Sequence, residues 1–490
     1  MIYFGSFLFG VISSLSLPPF NVLMSIFLIV VPIYNACKES EKSLTRAIFI
    51  IGSFSFGWFL LSLHWISSAL LVGSKYQLIL IPFALILIPL YMSLYWTLAS
   101  FLSFILFKNF EARFISTLNF IGFSEILRSK FLSGFPWSSP GQVFISSNQL
   151  MQIYSIIGQN GANFLALGLA AIPFFILRKK IFNLFFICIP YIALSLFLIL
   201  NFTKTTDILD KKSYKMVRVL QPNILQEEKW NPILREKHIE KTLMLSKKNK
   251  LTPNLTILPE TFVAGFYPQD IDLLKKLSKH LTSADGHLLT GIIRSENYKK
   301  YNSALLLNNN GDVVEFYDKI HLVPFGEFNP INYFNLSNSN NDFSIGYKND
   351  LIYIPGIGKT KILICYEIIF PNFLNENQRP DLIINITNDG WFGNTIGPYQ
   401  HFEQARIRAI EEGITIIRSA NTGISGGINP IGKVISNSKI NETKSLDILI
   451  PNKLSGTFYS SNRWLGALFI FFWLIIFSIW IERINKKFMR

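Results

Sequence analysis

The stretch Lys361-Ile362-Leu363-Ile364-Cys365-Tyr366-Glu367 is an apolar run that ends in a thiol, followed at once by an aromatic and an acidic residue. A short apolar run bounded by polar groups is typical of a buried strand. Cys365 is one of three cysteines, and Cys37 and Cys188 fall in or beside very hydrophobic segments. Cysteine usually behaves as a small buried hydrophobe, so this stretch alone favours a structural thiol.

The composition is that of an integral membrane protein. Of 490 residues, 50% are hydrophobic and 15% aromatic, and the mean hydropathy of +0.34 is too apolar for an ordinary soluble enzyme. The net charge is +15, but no long Lys/Arg-rich run suggests nucleic-acid binding. Loop charges that orient a membrane protein explain this excess better. The cysteines have no paired spacing, so no disulfide framework, metal site or cofactor is expected.

Eight apolar segments are candidates to cross the bilayer. We predict spans at 2–17, 20–36, 46–70, 77–107, 113–129, 150–177, 181–201 and 464–481. The fourth exceeds one straight span, so we expect it to tilt, to kink near Pro89 or to enter the interface.

Lys and Arg in the short loops set the predicted orientation, because cytoplasmic loops carry the excess of positive charge. One set of loops with the C-terminal tail holds twelve: Lys38, Lys42, Arg46, Lys108, Arg113, Arg178, Lys179, Lys180, Arg483, Lys486, Lys487 and Arg490. The opposite side holds three: Lys75, Arg128 and Lys130. Both termini are therefore predicted to be cytoplasmic, and the long polar segment 202–463 is predicted to lie outside the cytoplasmic membrane.

Two features of the first half have more than one interpretation. Glu125 and Arg128 are spaced to pair on one helix face near the outer end of the fifth span. One interpretation is an ion pair at the membrane interface. The other is a functional role, in which the pair binds a lipid headgroup or supports the active site. The loop Gly134-Phe135-Pro136-Trp137 is either an interfacial aromatic belt or a lip near a substrate entrance.

The polar segment alternates strand-like and helix-like runs. Strand candidates are Val217–Gln221, Leu255–Leu258, Leu288–Ile293, Ser303–Leu307, Lys361–Ile364, Leu382–Ile386 and Ile414–Arg418. Helix candidates are Pro232–Lys248, Ile271–Leu281 and Tyr399–Glu412. This alternation predicts layered α/β packing, and the run Asn335–Asn341 is predicted to be a long loop.

Three residues at strand ends fit one chemistry. Glu260 and Lys319, like Cys365, end or follow an apolar strand. A thiolate is a nucleophile, a carboxylate can take its proton, and an ammonium can offset the charge on a tetrahedral intermediate. Because the ammonium lowers and the carboxylate raises the pKa of a thiol, sequence leaves the resting protonation state open. No Cys–His pair is obvious, and His321 and His401 are candidates only by their motifs.

These motifs carry a resemblance. Pro259-Glu260, Tyr317-Asp318-Lys319, His321–Glu327 and Ile364–Glu367 resemble the Glu-Lys-Cys motifs of the carbon–nitrogen hydrolase (nitrilase) superfamily. The block Asn388-Asp389-Gly390-Trp391-Phe392-Gly393, with Gly397-Pro398 and Gln400-His401-Phe402, is similar to its membrane-bound branch, the apolipoprotein N-acyltransferases. The implied fold is an eight-helix membrane domain plus an extracytoplasmic nitrilase-like α/β domain (αββα sandwich). The implied domains are seven transmembrane helices (1–201), a periplasmic catalytic domain (202–463), and a C-terminal helix with a cytoplasmic tail (464–490).

The resemblance implies an activity. Such a protein, in the bacterial cytoplasmic (inner) membrane, moves an acyl chain from a phospholipid, typically phosphatidylethanolamine, to the α-amine of the N-terminal diacylglyceryl-cysteine of apolipoproteins. Cys365 would carry the thioester, Glu260 would be the general base, and Lys319 would stabilise the oxyanion. No cofactor is implied.

The resemblance also implies supporting residues. Glu327 would support Lys319 or Glu260, and Tyr366 with Glu367 would shape the pocket. Trp230 and Trp391 resemble loop aromatics near the site, although plain packing or interface anchoring would also explain them.

Three alternatives remain open from sequence. A membrane-tethered amidase or nitrilase would hydrolyse a small amide, but eight spans would then have no explanation. An idle lipid- or lipoprotein-binding module would be favoured if a member of the Glu260, Lys319 and Cys365 set were missing. A transporter would explain the spans but not the polar segment.

Overall fold

A computed structural model describes residues 1–72, 75–209, 215–246, 252–330, 342–347, 350–374 and 378–488. The chain divides into two compact units. The helical unit contains residues 1–205, 410–412 and 456–490, and the α/β unit contains residues 206–409 and 413–455. The predicted loop Asn335–Asn341 lies outside the described residues.

The described residues form thirteen α-helices. In chain order they are α1 (Ile2–Ser13), α2 (Val30–Glu39), α3 (Leu44–Leu63), α4 (Ile81–Leu106), α5 (Phe110–Arg128), α6 (Asn148–Met151), α7 (Tyr154–Leu177), α8 (Ile181–Leu209), α9 (Arg235–Ser246), α10 (Ile271–Leu281), α11 (Gly397–Glu412), α12 (Phe458–Ser461) and α13 (Leu465–Phe488). Helix α4 runs without a break through Pro89.

Among the described residues, five helical stretches are long and apolar enough to cross a membrane. They are Leu44–Leu70, Leu78–Leu106, Tyr154–Leu177, Ile181–Ile199 and Leu465–Ile484, each of which overlaps a predicted span.

The other three predicted spans differ. The first contains a shorter apolar helix, Ile2–Ser16, and the second is a 3-10 segment followed by the ten residues of α2. The predicted span at 113–129 corresponds to helix α5. This helix is less apolar, because Glu111 and Arg113 lie near its start and Glu125 and Arg128 lie near its end. The count of eight spans therefore stays a prediction.

Glu125 and Arg128 form a buried ion pair within the helical unit, and each side chain is only 1% exposed. The indole nitrogen of Trp96 donates to Glu125 Oε1 at 2.7 Å. Arg128 donates to the carbonyl oxygen of Phe135, at the start of the aromatic loop. The pair therefore supports this loop from inside the unit and is not an exposed handle for a lipid headgroup.

The α/β unit has thirteen strands in the described residues. They are β1 (Met216–Gln221), β2 (Leu255–Ile257), β3 (Phe266–Tyr267), β4 (His287–Glu296), β5 (Lys299–Leu307), β6 (Val313–Asp318), β7 (Ile352–Ile354), β8 (Gly358–Ile364), β9 (Leu382–Thr387), β10 (Ile416–Ala420), β11 (Gly426–Ile428), β12 (Val434–Asn437) and β13 (Lys444–Leu449).

The strands form two sheets. In the described chain the first has seven strands in the order β13-β1-β2-β4-β5-β6, with β3 beside β4, and the second has six in the order β12-β11-β10-β9-β8-β7. The central strands β1-β2-β4 and β8-β9-β10 are parallel. Almost every residue of these strands is buried, as expected for parallel strands covered on both faces.

The two sheets face each other inside a layered α/β core. The Ser419 hydroxyl on β10 lies 3.3 Å from the carbonyl oxygen of Leu220 and 3.4 Å from that of Ile257, both in the first sheet. Apolar residues of α9 and α10 pack with β1, β4 and β5 in one buried cluster. The predicted layered α/β packing is confirmed, and all seven predicted strands are present.

Gly291 on β4 lies directly against the turn that follows β2. A Cβ atom at this position would meet Thr261 N at 2.3 Å and Glu260 Cα at 2.6 Å. Because real Cβ atoms do not come so near to backbone atoms, a larger residue must displace this turn.

We therefore expect Gly291→Ala to lower the free energy of unfolding by about 1–3 kcal/mol, the usual cost of overpacking. Thermal unfolding of the detergent-solubilised protein measures this change. Gly456→Ala is the control, since its added Cβ would meet only two hydroxyl oxygens at 3.7 and 3.8 Å. Equal melting temperatures for the two variants would contradict the expectation.

Candidate active site

The loops after four strands bring polar side chains together. Glu260 follows β2 and Lys319 follows β6, both in the first sheet, whereas Cys365 follows β8 and Asn388 follows β9 in the second. The three residues singled out by sequence lie in one cluster, in which Glu260 is 6%, Lys319 1% and Cys365 7% exposed. The cluster therefore forms where strand ends of both sheets meet.

Lys319 is enclosed by two carboxylates. Its Nζ atom lies 2.9 Å from Glu327 and 3.5 Å from Glu260 Oε1. Burial alone would lower the pKa of this ammonium, but the charges of Glu327 and Glu260 outweigh burial and raise the pKa well above its usual range. Lys319 therefore stays positively charged, and Glu327 is found beside it as the resemblance implied.

The carboxylate of Glu260 is held at both oxygens. The side-chain amide of Asn302 donates to Oε1 at 2.7 Å, and the backbone N–H of Asn388 donates to Oε2 at 2.9 Å. With Lys319 at 3.5 Å from Oε1, three donors surround the group. Such a carboxylate has one orientation, which is what a positioned base requires.

Lys229 is a second buried ammonium of this cluster. It donates to the carbonyl oxygen of Glu260 at 3.1 Å and to the hydroxyl of Thr261 at 2.7 Å. Burial lowers its pKa to about 8, against the opposing charges of Glu260 and Cys365. Thr261, next to Glu260, has a φ of +44°, in the left-handed region, so the turn that carries Glu260 is strained. The hydrogen bonds of Lys229 hold this turn in place.

Cys365 also has a left-handed backbone, with a φ of +51°. Its carbonyl oxygen accepts a hydrogen bond from the Asn385 amide at 3.2 Å, and His401 Nε2 lies at the same distance. Burial, followed by the charge of Glu260, raises the pKa of the thiol to about 12 although Lys319 lowers it. The resting residue at neutral pH is therefore a thiol, held in a conformation that only surrounding contacts maintain.

His401 belongs to a buried polar network behind Cys365. Its Nδ1 atom lies 2.9 Å from Asp389 Oδ1, and Arg418 donates to Asp389 Oδ2 at 2.7 Å. Burial and then Arg418 lower the pKa of His401, whereas Arg418 and His401 hold the pKa of Asp389 well below its usual range. Both ring nitrogens of His401 are engaged, by Asp389 and by the main chain of Cys365.

The other histidine candidate, His321, is exposed and stacks on Phe370 with ring centroids 4.6 Å apart. Neither histidine is therefore arranged as the base of a Cys–His pair.

The carboxylate of Glu367 connects the segment that carries Cys365 with the segment that carries Lys319 by hydrogen bonds. Its Oε1 atom accepts from the hydroxyl of Tyr317 at 2.9 Å and from the backbone N–H of Ile320 and His321 at 2.8 and 3.1 Å. Its Oε2 atom accepts from the backbone N–H of Ile364 at 2.7 Å. Glu367 thus fixes two loops by hydrogen bonds to their backbone.

The remaining aromatic candidates are of two kinds. Tyr366 is buried and makes an edge contact with Phe370, with centroids 5.0 Å apart. Trp230 and Trp391 are 45% and 42% exposed. Packing in the core therefore does not explain these two indoles, and interface anchoring and substrate binding stay predictions.

Sequence reasoning missed Asn302, Asn388 and Lys229 as members of the site. Asn302 lies in the polar first half of β5, before its apolar run, and Asn388 stands out in the sequence only as part of a family motif. Nothing in the local sequence pattern predicts that Lys229 is buried. The only indication that it belongs to the site is its position next to Trp230.

Family models match both parts of the chain. The model of the apolipoprotein N-acyltransferase N-terminal domain matches residues 9–172, and the carbon-nitrogen hydrolase model matches residues 216–451. Two solved structures are similar over 48% of this chain and 90% of their own, at 18% identity: a CN-hydrolase superfamily protein from Xanthomonas campestris, with a TM-score of 0.37, and Saccharomyces cerevisiae Nit3, with a TM-score of 0.38.

Curated relatives match nearly the whole chain. An apolipoprotein N-acyltransferase of Rickettsia bellii is 33% identical over 98% of this chain and 98% of its own. One of Rhodopseudomonas palustris is 31% identical over 92% of this chain and 90% of its own. With both family models matched in order, the chain belongs to the apolipoprotein N-acyltransferase family.

Proposed function

We propose that this protein transfers a fatty acyl chain from a membrane phospholipid to the α-amine of the N-terminal diacylglyceryl-cysteine of apolipoproteins, the last step of their maturation. Membership of the family supports the reaction. The observation that carries the mechanism is the buried cluster in which Lys319 lies 2.9 Å from Glu327 and 3.5 Å from Glu260, with Cys365 electrostatically coupled to it.

In the first half-reaction, Glu260 takes the proton of the Cys365 thiol, and the thiolate attacks an ester carbonyl carbon of the phospholipid. A C–S bond forms, and the negative charge on the carbonyl oxygen is offset by the Lys319 ammonium. The C–O bond then breaks, the proton passes from Glu260 to the departing alkoxide, and a lysophospholipid leaves. Cys365 now carries a thioester.

In the second half-reaction, the α-amine of the apolipoprotein attacks the thioester carbon. Glu260 takes a proton from this nitrogen, a C–N bond forms, and the C–S bond breaks. The thiolate recovers its proton from Glu260, so the enzyme returns to its starting state. One lipid product leaves before the second substrate reacts, which predicts ping-pong kinetics.

The remaining predicted residues surround this chemistry. Glu327 holds Lys319, and Glu367 fixes the loops on either side of Cys365. Exposed indoles are suited to lipid, so we assign Trp230 and Trp391 to binding of the two substrates. Phosphatidylethanolamine is the donor that the family resemblance implies.

We further propose eight spans in the bacterial inner membrane, with both termini cytoplasmic and a periplasmic catalytic domain at 202–463, between a seven-helix domain (1–201) and a final span and tail (464–490). The distribution of Lys and Arg supports this orientation. Attachment at both ends suits a lipid donor, because each methylene drawn into water costs about 0.8 kcal/mol.

The thioester gives a direct test. After incubation with phosphatidylethanolamine vesicles, intact-protein mass spectrometry should find one added fatty acyl group that hydroxylamine removes. Cys365→Ser should lose this adduct and at least about 10³-fold in transfer to a diacylated lipopeptide, since it lacks the nucleophile. The control Cys188→Ser, which changes a thiol in the helical unit, should retain both.

Retained transfer by a folded Cys365→Ser protein would contradict the thioester mechanism. Hydrolysis of a small amide, without a trapped long acyl group, would instead support a membrane-tethered amidase.

The protonation state of Cys365 predicts a pH dependence. Because its pKa is raised from 9.0 to about 12, the thiolate fraction is small at neutral pH, and the wild type needs Glu260 to take the proton. In Glu260→Gln, burial still raises the pKa of Cys365 although the charge of Glu260 no longer does, so alkylation by iodoacetamide without a base should rise about tenfold per pH unit with the thiolate fraction. The wild type should depend less steeply on pH.

Mass spectrometry of the alkylated protein gives both rates. Glu228→Gln removes a half-exposed carboxylate that pairs with His238, and should follow the wild-type profile. Parallel profiles for wild type and Glu260→Gln would mean that Glu260 is not the base.

The proposed orientation can be tested by labelling. In a variant without the three native cysteines, Lys433→Cys should react with a membrane-impermeant maleimide once the outer membrane is opened. The matched variant Lys42→Cys should react only after the inner membrane is permeabilised, because both lysines are exposed and are predicted to lie on opposite sides. The reverse pattern would contradict the assignment.

A further inference from the structure

We propose that Asn302 is a positioning residue that holds the carboxylates of Glu260 and Glu327 side by side, so that Glu260 is available as the base. This inference rests on the proposed function, in which Glu260 accepts the proton of Cys365. Asn302 acts through its hydrogen bonds to the two carboxylates.

One amide nitrogen joins the two acids. Asn302 Nδ2 lies 2.7 Å from Glu260 Oε1 and 2.7 Å from Glu327 Oε1, so each of its two N–H bonds serves one carboxylate. The side chain is 4% exposed. The two carboxylate oxygens are consequently no further apart than twice this distance, in a site with little access to water.

The charges facing Glu260 show why this spacing is a problem. Lys319 is 3.5 Å from Glu260 Oε1 and 2.9 Å from Glu327, and it serves both acids at once. Lys229 donates to the Glu260 backbone rather than to its carboxylate, and the thiol of Cys365 is coupled to the same group. When like charges share a buried site, one carboxylate tends to take up a proton.

An N–H donor to each carboxylate counters this tendency, because hydrogen bonds to the charged form favour it. Lys319 supplies positive charge to the pair, and Asn302 adds one donor to each acid beside the backbone N–H of Asn388 on Glu260 and that of Val323 on Glu327. Loss of the amide would remove a donor from each carboxylate and leave both to share one ammonium. A proton shared by Glu260 and Glu327 would then block the base at a pH where the wild type works.

The orientation of the amide supports this role. Asn302 Oδ1 is buried and has no hydrogen-bond partner among the described residues. If the amide were flipped, its oxygen would face both carboxylates and be repelled by them. The two acids therefore fix the orientation of the amide, although this orientation leaves Oδ1 without a hydrogen bond. A residue that only packed strand β5 would not be held in this way.

Asn302 also sets the backbone of the cluster. Its carbonyl oxygen accepts from the backbone N–H of Lys319 at 2.8 Å, where β5 and β6 pair. The same residue therefore places the ammonium through its main chain and the two carboxylates through its side chain.

The test is the pH profile of acyl-enzyme formation with phosphatidylethanolamine vesicles. Asn302→Leu has a similar volume but no donor. Its half-maximal rate should occur at least about one pH unit above that of the wild type, with about tenfold slower acylation on the acid side. The rate should recover at higher pH, which a general loss of structure would not produce.

A matched control removes an asparagine with a structural role only. Asn254 Oδ1 accepts from the backbone N–H of Met216 at 2.9 Å, at the other end of β2 from Glu260. Asn254→Leu should lower the melting temperature without moving the pH midpoint. If Asn302→Leu does not fold, Asn302→Ser keeps one donor and should give a smaller shift in the same direction.

Each outcome has a distinct meaning. A profile of the folded Asn302 variant that superimposes on the wild type would overturn the role of Asn302, while the proposed function would stand. A wild type that forms no thioester on Cys365 would instead refute the proposed function.

Discussion

The candidate site depends on one buried cation. Lys319 is enclosed by Glu327 and Glu260, and their charges outweigh burial, which by itself would lower the pKa of this ammonium. A buried ammonium is tolerated only with partners of opposite charge. The two acids must therefore lie close together, and every other polar contact of the cluster limits their repulsion or fixes their direction.

The position of that cation is set by hydrogen bonds between loops of the two sheets. Glu367, just after β8, binds the backbone N–H groups of Ile320 and His321, the two residues after Lys319. Behind Cys365, Asn385 and His401 engage its carbonyl oxygen and maintain a backbone with φ of +51°. Strain of this kind persists only where the surroundings over-determine it. The thiol and the ammonium are thus placed by a shared framework of backbone hydrogen bonds.

Sequence predicted the parts of the fold that have strong apolar periodicity. The predicted strands were found because they are continuous buried runs, whereas all four sheet edges, β13, β6, β7 and β12, were missed, together with β3 and the inner strand β11. The missed edge strands are short and contain exposed residues, so they lack the continuous apolar run by which a buried strand is recognised. For the site, strand ends and family motifs located Glu260, Lys319 and Cys365. Asn302 was not found, because its role arises from two carboxylates that meet it only in the folded chain.

The structure also bears on the protonation state of Cys365, which sequence left open. Burial and Glu260 together outweigh Lys319 and raise the pKa of Cys365 to about 12, so the resting nucleophile is neutral. The two positive charges of Lys319 and Lys229 then balance the two negative charges of Glu260 and Glu327. In the proposed mechanism, transfer of the thiol proton to Glu260 moves a negative charge without adding one to the buried site. Because the total charge is unchanged, the thiolate forms beside Lys319 at a smaller electrostatic penalty than loss of the proton to solvent would carry.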